Sequence, residues 1–291
     1  MNTALSGELF DVVISDIGAE IQSVKSKKTG TEFIWQGDPA FWPYRTPMLF
    51  PVCAATKNDK IVYEGVEYGL KKHGFTRAAL FKLKSADAAK AVYSLTDSEE
   101  TLKVYPFKFE LEIIYRLEGD TIFVDYAVHN RTDGEMYYSV GGHEGYACPH
   151  HKEGKFTDYY IEFEQTGDYD VCEMNESGLT TGVTRRIISN GNILNLEHGL
   201  FVNDALVFKN VGSEKLWLKS RAAKEVVEVG IGSAENVFIW QKVGAGYICI
   251  EPLWGFPDAA DTDGDITKKH SIRRLEKGAS ETLTHYIKIT E

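Results

Sequence analysis

Glu251 closes an apolar run, Tyr247-Ile248-Cys249-Ile250-Glu251, and is followed at once by Pro252, Leu253 and Trp254. A carboxylate partly withdrawn from water at such a strand end has a raised pKa and suits a general base. The plainer reading is a strand-terminal Glu paired with an Arg. A second polar interruption is Val140-Gly141-Gly142-His143-Glu144. Two glycines cost a strand stability unless the backbone must bend or something must fit close. His143, emerging there, is either a proton-handling group or a satisfied structural His. His73 opens His73-Gly74-Phe75-Thr76-Arg77, where Gly allows close backbone approach; a loop His in solvent is the alternative. Asp204 precedes the apolar Ala205-Leu206-Val207-Phe208 and alone reads as a turn residue. His150 and His151 read as a solvated loop, not as ligands.

These residues need strands to position them, and period-2 alternation dominates the chain. In Phe107–Leu117 the odd positions are apolar and most even ones charged, so one face of a strand is buried. Gly119-Asp120 marks a turn, and Ile122, Val124, Tyr126 and Val128 share the next buried face, predicting an antiparallel hairpin. Leu283, His285, Ile287 and Ile289 repeat the pattern. Shorter strands are expected at Leu9–Ser15, Glu20–Ser26, Glu32–Trp35, Lys60–Tyr63, Phe81–Ser85, Ala91–Thr96, Glu135–Val140, Tyr159–Phe163, Ala205–Phe208, Leu216–Lys219, Val226–Val229, Val237–Trp240 and Tyr247–Glu251. No stretch carries a long helical stripe; Asp38-Pro39-Ala40-Phe41-Trp42 suits one short capped turn. Many strands and few helices predict an all-β sandwich or barrel. With no low-complexity linker, composition break or fixed repeat, a single domain over 1–291 is expected.

Composition excludes several classes. The chain has 291 residues, 32 Lys plus Arg against 43 Asp plus Glu, and a net charge of −11. That balance suits no nucleic-acid backbone. No run approaches the roughly 18 apolar residues of a membrane span, and the start has no basic, then apolar, secretory pattern. Cys53, Cys148, Cys172 and Cys249 are far apart with no C-x-x-C pair, so reduced thiols are expected. A soluble, cytoplasmic protein is the expectation. Histidines at H-x-H or H-x-x-x-H spacing are absent, so no metal is expected. Aromatics gather at Trp35, Phe41, Trp42 and Tyr44, and again at Trp240 and Trp254. Such flat faces suit sugar rings, and equally a core.

Taken in order, these motifs resemble the aldose 1-epimerase (galactose mutarotase) superfamily, in its LacX-like branch. Gly18-Ala19-Glu20-Ile21-Gln22-Ser23, Glu32-Phe33-Ile34-Trp35-Gln36-Gly37-Asp38 and Thr46-Pro47-Met48-Leu49-Phe50-Pro51-Val52 look like that branch's opening segments. His73-Gly74-Phe75-Thr76-Arg77, Gly141-Gly142-His143, Asn203-Asp204-Ala205-Leu206 and Glu251-Pro252-Leu253-Trp254-Gly255 follow in the family's order. The resemblance implies a large antiparallel β-sandwich, the supersandwich of that superfamily. It implies Glu251 as the base on the sugar's O1 hydroxyl and His143 as the acid on ring oxygen O5, with no cofactor. His73 and Asp204 match positions that bind sugar hydroxyls, and Trp35, Lys57 and Arg77 join them as expected substrate contacts. One departure stands out: Ala55 occupies the place of a family Arg that contacts substrate, with Lys57 or Arg77 as candidate replacements. A charged hydrogen bond of that kind is worth about 1.5–3 kcal/mol, or roughly 10–150-fold in binding.

The expected function is therefore interconversion of the α and β anomers of a free aldose, with a small-molecule sugar as partner. No nucleic acid or membrane is expected to bind, and the protein is expected to be a monomer or weak homodimer. Two alternatives are a carbohydrate-binding protein with impaired turnover and a hexose-6-phosphate mutarotase using Arg45, Lys57 and Arg77. A third is a metal-dependent barrel using His73, His143, His150 and Glu251.

Overall fold

The alternating runs form strands. In the computed structural model, which describes residues 1–150 and 153–291, Phe109–Glu118 and Thr121–Asn130 pair antiparallel around Gly119-Asp120. Ser280–Thr290 pairs with the other side of Thr121–Asn130. Phe109, Leu111, Ile113, Tyr115 and Leu117 are buried while their even-numbered neighbours are not, as alternation requires.

These strands belong to one antiparallel sheet of 15 strands. From one edge it runs Met48–Leu49, Val140–Gly142, Tyr247–Trp254, Asn236–Trp240, Leu206–Phe208, Tyr159–Met174, Lys215–Ser220 and Val226–Gly230. It continues through Ser280–Thr290, Thr121–Asn130, Phe109–Glu118 and Lys90–Thr96 to Lys82–Ala86. Glu144–Ala147 adds to Tyr247–Trp254, and Thr180–Asn195 to Tyr159–Met174. A three-stranded meander, Asn2–Ser6, Phe10–Ser15 and Ile21–Ser26, lies outside it. Met48 and Val140 near one edge share a core with Ala91 and Tyr93 near the other, and with Leu5 and Val12 of the meander. The sheet therefore curls over and packs on itself: a β-sandwich. Each large aliphatic or aromatic side chain fully buried there contributes about 1.5–3 kcal/mol.

Four expectations change in detail. Glu32–Trp35 makes only isolated bridges, because the Glu32 carboxylate accepts from the Val24 and Ile34 backbone N–H groups (2.9 and 3.0 Å) and takes the place of ladder bonds. Glu135–Val140 splits into Met136–Tyr138 and Val140–Gly142, in different sheets, where Ser139 N–H donates to Pro51 O. Tyr159–Met174 and Thr180–Asn195 form a hairpin of two 16-residue strands, far longer than the expected Tyr159–Phe163. Its second strand is mostly exposed on both faces and so shows no alternation to read. His150 is half-buried between the Phe33 and Tyr159 rings (centroids 5.3 and 5.2 Å), not solvated; His151 lies outside the described residues. The expected turn at Asp38 forms, with Phe41 and Trp42 N–H both donating to Asp38 O and the Asp38 carboxylate accepting from Ala40 N–H.

Candidate active site

Sheet register builds the centre of the site. Tyr247–Trp254 is flanked by Val140–Gly142, with Gly141 opposite Leu253, and by Glu144–Ala147, with Glu144 opposite Ile250. The same register carried through the break places His143 opposite Glu251 and Gly142 opposite Pro252. Side chains directly opposite on antiparallel strands leave by the same face, with Cβ atoms about 4.5–5.5 Å apart. His143 Nε2 accordingly lies 3.5 Å from Glu251 Oε1. Pro252 has no N–H to give, and it falls where the neighbouring ladder is interrupted, which is why a strand can pass through it. Gly141 and Gly142 answer to packing: a Cβ at Gly141 would stand 2.6 Å from Pro252 O, and one at Gly142 2.0 Å from Glu144 Oε1.

On the far side of Tyr247–Trp254, Phe238 lies opposite Glu251 and Trp240 opposite Cys249. Phe238, Trp240, His143 and Glu251 thus line one cavity of about 200 Å³. Three rings fix the His143 imidazole: Trp42 stacks on it at 4.9 Å, while Trp240 and His73 meet it edge-on at 5.7 and 5.5 Å.

Loops supply the rest of the wall. His73 has φ +70°, and its neighbour Gly74 could not carry a side chain, since a Cβ there would lie 2.1 Å from Phe50 O. His73 N–H donates to Ala54 O (3.0 Å) and Ala54 N–H donates back to His73 Nδ1 (3.1 Å). In the neutral ring the proton is therefore on Nε2. Lys72 precedes it and reaches Asp204 Oδ2 at 3.5 Å, a loose pair of half-exposed groups. Arg77, in the turn Thr76–Ala78, sits 5.1 Å above the Tyr44 ring centroid. Met174 and Gly178, from the tip of the long hairpin, close the opposite side.

Burial governs the electrostatics. Glu251 is 2% exposed, and burial pushes its carboxyl well above the usual carboxylate range; nearby Lys72 opposes this, while Glu144 and Asp204 add to it. Burial, with Lys72 and Arg77, pushes His143 down to about 3. Burial also holds His73 well below its ordinary value, helped by His143, Lys72 and Arg77. Desolvation thus favours the neutral forms of both His143 and Glu251, so the pair holds one proton between them. Moving it from carboxyl to imidazole gives carboxylate and imidazolium without changing the proton count. A 3.5 Å gap is longer than a normal hydrogen bond, and each group keeps capacity for a third party.

His143, Cys249 and Glu251 bring one donor atom each within 4.8 Å of one another. An ion held there would engage both His143 and Glu251. It would also need the thiolate of Cys249, whose thiol burial pushes well up.

A family model described as aldose 1-epimerase matches residues 3–226. The chain belongs to the aldose 1-epimerase family. Within that family it falls in the LacX-like branch. It is 27% identical over 287 residues to the plasmid-borne protein LacX of Lactococcus lactis subsp. lactis, covering 94% of this chain and 95% of LacX. A galactose mutarotase-related enzyme from Lactobacillus acidophilus superposes with a TM-score of 0.95 at 33% identity, over 100% of this chain and 98% of the other. A galactose mutarotase-like protein from Lactobacillus casei does so with a TM-score of 0.94 at 26% identity, over 100% of both chains.

Five of the seven site residues expected from sequence meet in this family member's cavity: Glu251, His143, His73, Asp204 and Arg77. Lys57 and Trp35 do not line it. Lys57 Nζ turns away to Thr262 O (2.7 Å), because its backbone N–H is tied to Asp258 Oδ2 (2.9 Å). Trp35 packs on Tyr247 (4.9 Å), and its indole N–H is spent on Trp42 O (2.9 Å). Trp42 and Trp240 are the tryptophans of the cavity, and Lys72 is its unforeseen cation. Lys72 stands next to His73 in the motif, and Trp42 and Trp240 lie in the aromatic groups already singled out. Spacing alone could not choose among neighbours. Arg45 gives its guanidinium to Gln36 O (2.9 Å) and does not line the cavity. Ala55 is buried, its methyl 3.5 Å from where a side chain on Gly178 would begin, so this position faces the hairpin tip.

Proposed function

We propose that this epimerase-family chain is a mutarotase that interconverts the α and β anomers of a single sugar ring. Glu251 as carboxylate takes the O1 hydroxyl proton, and the His143 imidazolium gives its proton to O5. The C1–O5 bond breaks, leaving an open-chain aldehyde with a hydroxyl at C5. Rotation about C1–C2 presents the other aldehyde face, and reversal of the two proton transfers closes the other anomer. Protons balance, and the enzyme returns to its starting state. His73 Nε2–H, Lys72 and Asp204 bind ring hydroxyls, and Trp42 and Trp240 offer flat apolar faces to the ring's C–H groups.

The observation that carries this reading is the cross-strand pairing of His143 with Glu251, 3.5 Å apart on the floor of a cavity of about 200 Å³. General acid and base each contribute about 10²–10⁴-fold. Saturation-transfer NMR on a panel of aldoses is expected to show accelerated exchange. Glu251→Gln and His143→Ala should each lower kcat by at least about 100-fold. Wild-type rates in both variants would refute the assignment.

Ala55 in place of the family arginine favours one second reading, a sugar-binding protein with little turnover. It requires saturable sugar binding by calorimetry together with no exchange above buffer.

A further inference from the structure

A second carboxyl–imidazole pair lies behind the first. Side chains alternate along a strand, so His143 faces the cavity while Gly142 and Glu144, on either side of it, face the core. Glu144 folds back over Gly142: a Cβ on that glycine would stand 2.0 Å from Glu144 Oε1 and 2.5 Å from Oε2. The carboxyl group therefore fills the place of a side chain at Gly142. It lies under the break between Val140–Gly142 and Glu144–Ala147 from which His143 emerges. From the opposite layer of the sandwich, His285 of Ser280–Thr290 brings Nε2 to 3.0 Å from Glu144 Oε1. His285 is 0% exposed and Glu144 3%. The Tyr126 ring stacks on His285 at 5.5 Å, and Trp254, from the strand of Glu251, meets Tyr126 edge-on at 6.0 Å.

Stability does not account for this pair. Among the described residues no Lys or Arg comes within ion-pair distance of Glu144, and His285 is its one such contact. That contact is out of line for a hydrogen bond. Glu144 Oε2, His285 Nδ1 and the Tyr146 hydroxyl, on the same face as Glu144, also have no hydrogen-bond partner among the described residues. Buried polar groups left in this state cost stability, and apolar side chains of like volume in place of a buried pair are often neutral or stabilising. We propose that Glu144 and His285 are positioning residues: held from the far layer, the Glu144 carboxyl group props the strand break and so presents His143 to Glu251. The consequence for rate rests on the mutarotase reading; the consequence for geometry does not.

The test is anomer exchange and thermal unfolding of Glu144→Leu/His285→Phe, in which the Phe ring keeps the stack on Tyr126. Its kcat should fall about tenfold to hundredfold while KM stays within about twofold of wild type, because the sugar contacts are untouched. Its melting temperature should not fall. Glu144→Ala removes the prop without adding bulk, should show the same split between kcat and KM, and carries the test if the double variant does not fold. Wild-type kcat in the folded variants would overturn the proposal, as would a KM that rises in step with the loss of kcat. If wild type speeds the exchange of no sugar, the mutarotase reading fails and NMR decides. The His143 ring C–H signals, assigned through His143→Ala, should then shift in the variants more than those of His198, which does not line the cavity. Unmoved His143 signals would overturn the proposal.

Discussion

The proposed reaction asks Glu251 to take a proton, yet the residue is almost wholly buried. Its folded pKa lies above the ordinary 4.5, so its contribution to stability is fully present below pH 4.5 and is lost as pH rises through the folded value. Above neutrality the native protein therefore carries a cost that an amide would not. Glu251→Gln should raise the melting temperature at pH 8, by an amount on the order of 1–3 kcal/mol, with the gain shrinking toward pH 4.5. Thermal unfolding of both proteins across that range checks it; a variant less stable than wild type at pH 8 would contradict the burial argument. Glu144, the next carboxylate in, is also buried but lies 3.0 Å from His285 Nε2 and stays clear of the cavity. The sequence singled out Glu251 and His143 at expected strand ends; only the register shows that the two leave by one face while Glu144 lies opposite Ile250.

At the scale of elements, the cavity walls meet at Asp258. Its Oδ1 accepts from the buried Lys269 ammonium at 2.6 Å and its Oδ2 from Lys57 N–H at 2.9 Å. Its own backbone joins Ala55 O at 3.0 Å and Thr180 N–H at 2.9 Å. One residue thus ties the Ala54 segment, the hairpin tip and the chain leaving Glu251. Asp258→Ala strands a buried ammonium and should cost about 3–5 kcal/mol. Adding Lys269→Met should recover part of that stability. KM should stay raised in the double variant, since the Lys57 N–H bond is still missing; a KM restored along with stability would show that Asp258 serves stability alone. Strands with one buried face, such as Phe109–Glu118, were legible from their alternation. Thr180–Asn195 was not, since it lies largely in solvent, and with it went Met174 and Gly178. Loop residues were legible only as neighbourhoods: His73-Gly74 marked the right turn, while the Lys57 side chain is spent on Thr262 O and its backbone N–H on Asp258.

For the whole molecule, acidity and exposure are unevenly useful. Glu110 and Glu112 lie on the half-buried outer face of their strand and share Lys84, at 3.2 and 2.6 Å. Such exposed pairs contribute about 0–1 kcal/mol, so the excess charge bears on solubility and not on the fold. The long hairpin is different. Among the described residues, Thr180–Asn195 forms its ladder with Tyr159–Met174, touches the rest of the molecule's backbone through Thr180, and carries Arg185 and Arg186 exposed. Segments with few buried contacts open first. Limited trypsin digestion should cut after Arg185 or Arg186 before any core strand. Bound sugar should slow that cut, since Met174 and Gly178 border the cavity; mass spectrometry of the fragments reads both outcomes.

His143 and Glu251 are neighbours across one sheet, whereas Lys72, His73, Arg77 and Asp204 arrive on loops. The spacing of the pair proposed to transfer protons is thus a property of β pairing, as fixed as the distance between adjacent strands. On the proposed reading, sugar preference lies in segments that can lengthen, shorten or change charge without disturbing that spacing. Such a scaffold is divisible by construction: loops exchanged from a relative would be expected to carry a new substrate to an unaltered reaction.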